Sequence, residues 1–303
     1  MSRPRENETL VLSSGNTIGL AHYGDLDGPV VFYFHGQGSS RLEGVWWAKP
    51  AEAVGAHIIA LDRPGVGLSS VQPNRKMLDW PLVVSEVAQR INIDQFYVLG
   101  GELGGAYALA CAKELSPDAL KGVGVVSCDP PMPRGRIGKM AGSLQSWVNR
   151  KAYEKFFVPA AKDPDPAVFR KLSVDGARTS SKRDNALFEN AEFRDFLVDS
   201  ERECYRQGGQ GVTDDVRTYV KDWGFDIWNI SVKVDMWCGD DGRYCPIKVN
   251  RSMEDQIDHA RLVEFEGETH FSILATKGEQ ILRGLLFDDE KSYDHPAQKD
   301  AYN

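Results

Sequence analysis

Residues 98–112, VLGGELGGAYALACA, leave the chain little freedom in what it can fold into. A short apolar run ends in two glycines, Glu102 stands alone, two more glycines follow, and an alanine-rich stretch begins. A strand that passes directly into a helix must bend sharply, and the residue at the bend is held in a strained backbone conformation. Its side chain then projects above the sheet. Small residues are needed two positions before and after it, and Gly100 and Gly104 supply them, with Gly101 and Gly105 giving further relief. Ala106, Ala108, Ala110 and Ala112 let the following helix lie close against a sheet. The stretch therefore predicts a strand, a tight turn and a packed helix, with Glu102 displayed at the tip.

The rest of the chain supplies that sheet. Apolar and β-branched runs recur as TLVLSS, TIGLAHYG, VVFYFHG, HIIALD, FYVLGG, GVGVVSC, VKVDMWCG and RLVEFEG. From VVFYFHG onward most are separated by helical patterns, and continuous apolar strands alternating with helices imply a mostly parallel sheet covered on both faces. The first two runs read as an antiparallel hairpin turning at SGN. Between about Pro130 and Phe225 the rhythm breaks into charged, helical sequence punctuated by PPMPRGR and KDPDPAVF. A helical block inserted there reads as a cap over the carboxyl edge of the sheet, the edge where open α/β sheets place ligands. The expected division is residues 1–132 as the first part of an α/β core, 133–225 as the helical cap, and 226–303 as the second part of the core with a polar tail.

A chain of 303 residues is long enough for this plan, and its net charge of −8 gives no electrostatic reason to bind nucleic acid or an anionic membrane. No apolar run is long enough to span a bilayer, and MSRPRENETL lacks the apolar segment of a secretory signal, so a cytoplasmic protein is expected. The five cysteines (Cys111, Cys128, Cys204, Cys238 and Cys245) are scattered without metal-site spacing and read as reduced core residues. Neither a metal nor a cofactor is implied, since no phosphate-binding glycine pattern follows the first strand.

The stretch around Glu102 resembles the nucleophile elbow of the α/β-hydrolase family, and the resemblance covers most of the chain. FHGQGSS (Phe34 to Ser40) is similar to the family's oxyanion loop, and DRPGVGLSS (Asp62 to Ser70) to the loop after the next strand. DWGFDI (Asp222 to Ile227) is similar to the return from the cap in a fungal-type subgroup. EGETHFS (Glu266 to Ser272) looks like the loop carrying the catalytic histidine, at His270. The resemblance implies an α/β-hydrolase fold and an oxyanion hole made by the backbone N–H groups of Gln37 and Leu103.

Two departures change the chemistry. The family pattern G-x-S-x-G reads here as Gly100-Gly101-Glu102-Leu103-Gly104, so no hydroxyl stands at the tip to be activated by a base. The spacing that normally locates the triad acid falls on Gly242, leaving Asp240, Asp241 and Asp129 as candidate supporting acids. Three readings stay open. Glu102 and His270 can form an acid–base pair for chemistry without hydrolysis, such as that of a lyase, isomerase or cyclase acting on a small lipophilic metabolite. Glu102 can instead be a covalent carboxylate nucleophile, as the elbow aspartate is in the family's epoxide hydrolases and dehalogenases. Or the site is dead and the protein only binds a ligand, against which stands the cost of burying a carboxylate without a partner. The fungal-type resemblance implies secondary metabolism as the setting. His35 is expected to support the oxyanion loop, and Asp62 and Arg63 to tie their own loop together. Trp46, Trp47, Trp147, Tyr153, Phe156, Phe157 and Tyr205 are expected to pack the core and cap, some of them facing the pocket.

Overall fold

The computed structural model describes residues 5–128, 148–177, 181–242 and 245–287. Eight strands form one sheet: β1 (Arg5–Val11), β2 (Thr17–Gly24), β3 (Val30–Phe34), β4 (His57–Leu61), β5 (Phe96–Gly101), β6 (Leu120–Val126), β7 (Val234–Gly239) and β8 (Ala260–Phe265). Their order is β1-β2-β4-β3-β5-β6-β7-β8. The strand β2 runs antiparallel to both β1 and β4, and every pairing from β4 to β8 is parallel. The expected hairpin is present, with Gly15 at its turn in the left-handed region. All eight apolar runs became strands, as continuous hydrophobic sequence demands of a sheet covered on both sides.

Because successive side chains point to opposite faces, β3 feeds two cores at once. Phe32 and Phe34 join Val98, Tyr107 and the alanine helix on one face. Val31 and Tyr33 join Trp47, Ile58, Leu99 and Trp237 on the other. Each is fully buried or nearly so, and burying a side chain of this size stabilises by about 1.5–3 kcal/mol relative to exposure. Truncating Phe32 to alanine would cost about 3–5 kcal/mol.

Between β6 and β7 the described elements are helical: Pro166–Ala177, Lys182–Glu189, Ala191–Cys204 and Gln210–Val220, preceded by a short π-helix, Tyr153–Phe157, that runs into the α-helix Val158–Lys162. They enclose a third apolar cluster, built on Phe169, Phe188, Phe193, Leu197 and Tyr205. All five cysteines are buried and unbridged, as the sequence led us to expect. Trp47 belongs to the core below the site, Tyr153 and Tyr205 to the third cluster, and Phe157 packs against it. Phe156 is half exposed, and Trp147 lies outside the described residues.

Candidate active site

The turn after β5 is as tight as its glycines require. A Cβ on Gly104 would collide with the carbonyl of Phe34, and one on Gly100 with the carbonyl of Gly104 itself. The oxyanion loop and the elbow thus touch backbone to backbone. Glu102 sits between them at φ 53°, ψ −119°, heading the helix Leu103–Glu114. A non-glycine residue held in that region costs on the order of 1–3 kcal/mol, and such strain gathers at functional sites. Ser127, just past β6, shares the feature at φ 48° and lines the same cavity.

His270 opens the helix His270–Thr276, whose start is fixed by reciprocal hydrogen bonds between Thr269 and Ser272. Its ring is 7% exposed, and Nε2 lies 3.9 Å from Glu102 Oε1. That is an ion-pair distance, about an ångström longer than a hydrogen bond. The other carboxylate oxygen, Oε2, accepts from the backbone N–H of Gln37 at 3.1 Å. Glu102 therefore occupies the donor expected to serve an oxyanion. Leu103 is the first residue of its helix, where a backbone N–H has no acceptor within the helix.

Gln37, Glu102, Ser127 and His270 line a cavity of about 100 Å³, and Leu103 is not among its lining residues. Two further carboxylates line it that the sequence did not single out, Glu43 and Glu201. Glu43 is buried, and its Oε1 accepts from the Tyr33 hydroxyl at 2.5 Å and from the Gly36 N–H at 2.9 Å. Burial raises its carboxyl above the ordinary range, the Ser39, Tyr33 and Gly36 donors opposing and the Glu102 charge adding. Burial likewise pushes Glu201 up to about 7, with Glu43 and Glu102 contributing. A methyl group on Gly36 would collide with Glu102 Oε2 and stand 3.5 Å from Glu43 Oε2, so the two carboxylates face one another across a glycine. A signal for Glu201 was present: it follows Phe193 and Leu197 at intervals of four, on the apolar stripe of its helix.

The candidate supporting acids fare differently. Asp240 and Asp241 are exposed and line a separate surface pocket with Arg183, Gly242 and Gly267. Asp240 accepts from the Gly267 N–H at 2.7 Å, bracing the turn before the histidine. Asp241, a candidate supporting acid, lies past the end of β7 in that surface pocket and is not among the residues that line the cavity of Glu102 and His270. Asp129 lies outside the described residues.

His35 supports the loop, as expected. It is fully buried, Nδ1 lies 2.9 Å from the Gly36 carbonyl, and Nε2 accepts from the Arg63 N–H at 3.4 Å. Burial and the nearby Arg63 charge hold its pKa well below the usual imidazole value. Arg63 donates to the carbonyls of His35 and Gly36 and pairs with Asp215 of the helix Gln210–Val220 at 2.8 Å. Asp62 receives Arg41 and the Leu68 N–H. Among the described residues, no group of three metal-ligating side chains is placed to hold an ion, and no helix is long and apolar enough to cross a membrane.

Beside the cavity, sharing Trp46 and Leu274 with it, lies a groove of about 520 Å³ lined also by Phe193 and Phe196. Trp46 stacks on Phe193 with ring centroids 5.4 Å apart. A 100 Å³ cavity holds only a few heavy atoms, whereas ligand pockets usually run about 300–1,000 Å³.

Comparison with known proteins agrees with this architecture. The family model for the alpha/beta hydrolase fold matches residues 29–275. Among solved structures, the chain is similar to a thioesterase domain from the curacin biosynthetic pathway, with a TM-score of 0.68 at 19% identity over 91% of this chain and 99% of that one. It is similar to a hydrolase from Pseudomonas aeruginosa PA01, TM-score 0.66 at 16% identity, covering 91% and 97% of the two chains. An epoxide hydrolase from Vigna radiata gives 0.65 at 14% identity, covering 92% and 96%. At these identities the likeness is one of fold. No curated protein matches the chain.

Proposed function

We propose, from the premise that the chain belongs to the alpha/beta hydrolase fold family, that it is an enzyme of that fold which moves protons without hydrolysing its substrate. The observation that carries this reading is the replacement of a hydroxyl at the strained tip by a carboxylate set between Gln37 and His270. A carboxylate and an imidazole facing one small cavity can hand a proton back and forth across a substrate. One takes a proton from carbon beside a carbonyl, the electron pair moves to the carbonyl oxygen, and the other returns a proton elsewhere. The backbone N–H of Gln37 can hold the developing oxyanion once Glu102 has turned from it. The outcome is that of an isomerase, lyase or cyclase. The apolar groove beside Trp46 and Leu274 gives room for the body of a small lipophilic metabolite, with its reacting end in the cavity. The likeness of Asp222 to Ile227 to a fungal-type subgroup supports secondary-metabolite biosynthesis as the setting.

The reading is tested with two simple probes. The protein should accelerate exchange of the α-protons of 2-butanone in deuterated water, and Glu102→Gln should lose at least ~10²-fold of that rate. Hydrolysis of p-nitrophenyl acetate should run no faster than with Glu102→Ala. Esterase activity that depends on Glu102, or a covalent adduct on its peptide by mass spectrometry, would return the protein to hydrolysis with Glu102 as nucleophile.

A further inference from the structure

The cavity is unbalanced in charge. Glu43, Glu102 and Glu201 line it, His270 is the one basic side chain among the described lining residues, and no lysine or arginine is among them. Glu102 accepts from the Gln37 N–H, and Glu43 from Tyr33 and Gly36, but these donors are neutral. No cation beyond His270 among the described lining residues answers the three carboxyls, and burial pushes Glu43 and Glu201 toward their neutral forms. A second observation points outward from the protein. Ser127 is 2% exposed, lines the cavity, and its Oγ has no hydrogen-bond partner among the described residues. A buried hydroxyl without a partner is costly unless something else supplies one. Trp46 and Phe271 add aromatic faces to the same walls, and such faces attract organic cations.

We propose that this cavity recognises a protonated amine at the reacting end of the substrate, with Glu43 and Glu201 compensating its charge and Ser127 accepting one of its N–H groups. This rests on the acid–base reading only for the claim that the amine-bearing end is where Glu102 and His270 act. An ammonium group has three donors that can reach separate acceptors, which suits carboxylates spread around a cavity. At about 100 Å³ the space admits a small ammonium group with a few carbons. A substrate bearing a carboxylate or phosphate there would meet carboxyl groups and no lysine or arginine among the described lining residues.

Calorimetric titration of the full chain with n-butylammonium, n-butanol and butyrate tests this at mildly alkaline pH. The amine should bind at least about tenfold more tightly than the alcohol, a gap of about 1.4 kcal/mol, and butyrate should bind least. Glu201→Gln should weaken the amine by about tenfold and leave the alcohol unchanged. Ser127→Ala should weaken the amine by a smaller factor, and it serves if Glu201→Gln does not fold. Equal binding of amine and alcohol, preference for butyrate, or indifference of the amine to both substitutions would overturn the proposal. Amine preference without Glu102-dependent proton exchange would sink the acid–base reading alone. Proton exchange without amine preference would sink this one alone.

Discussion

Two groups of buried acids stand on either side of the oxyanion loop, and they are built on opposite terms. Behind the loop, Asp215 takes Arg63 and Arg75, while Asp62 takes Arg41. In front of it, Glu43 and Glu201 share a cavity with Glu102 and have no arginine or lysine among the described lining residues. Burial works against ionisation in both places. Behind the loop the outcome depends on the number of guanidinium groups. Arg63 and Arg75 together outweigh burial and hold Asp215 below the ordinary carboxylate range, whereas at Asp62 burial outweighs the single Arg41 and raises the carboxyl. In front burial prevails, and Glu43 and Glu201 titrate above it. A carboxylate held by guanidinium groups acts as a fastener, and on the reading proposed above one without them is a reactive or ligand-seeking group.

The largest effect should come from breaking the answered side. Asp215→Asn leaves Arg63 and Arg75 buried without their counter-charge, and such losses cost about 3–5 kcal/mol. Chemical denaturation should show that loss, and a change below 1 kcal/mol would mean the two regions do not differ as described.

A smaller effect, of opposite sign, should sharpen the comparison along the pH axis. Glu201 is raised in the folded state, so its neutral form favours folding. That contribution is complete below the ordinary carboxyl range and is lost as pH rises through about 7. Glu201→Gln should therefore gain on the wild type with rising pH, read as melting temperature across that interval. Asp215 is lowered, so its contribution holds above the ordinary carboxyl range and fades as pH falls through its folded value. Parallel pH profiles of wild type and Glu201→Gln would refute the assignment.

The smallest change in stability should attend Glu102, the residue on which the proposed chemistry turns. Glu102→Ala removes a side chain that is 38% exposed, on a strained backbone. Its stability should stay within about 0.5 kcal/mol of the wild type or rise slightly. A loss above about 2 kcal/mol would make Glu102 a structural group.

What could be read from the sequence follows from how each feature is encoded. The sheet was legible because buried parallel strands are written as unbroken apolar runs, and the elbow because its glycines answer a steric demand on the backbone. Glu102 and His270 were visible through position alone. The place of Asp241 outside the cavity agrees with the spacing argument that placed Gly242 where an acid belongs. Glu43 carried no signal of its own, and Glu201 carried only its place four residues after Leu197, set against the charged local sequence DSEREC that reads as a solvated face. Only packing turns them inward, and Glu201 is reached from a helix distant in sequence from the elbow. The loop tie expected of Asp62 and Arg63 is made by the Asp62 side chain, while the Arg63 side chain reaches His35 and Gly36 and, across 152 residues, Asp215, none of which the sequence indicated.

The hydrogen bond from Gln37 to Glu102 sets a clock as well as a geometry. On the proposed reading, a substrate oxygen uses that donor only while the carboxylate is elsewhere, and the same departure would let the carboxylate close its 3.9 Å gap to His270. Vacating the hole and arming the acid–base pair are then one rotation about side-chain bonds. Rotamer hops of partly exposed side chains take on the order of picoseconds to nanoseconds. Such a step is far too fast to limit turnover, so the resting contact can shield the hole without slowing the cycle.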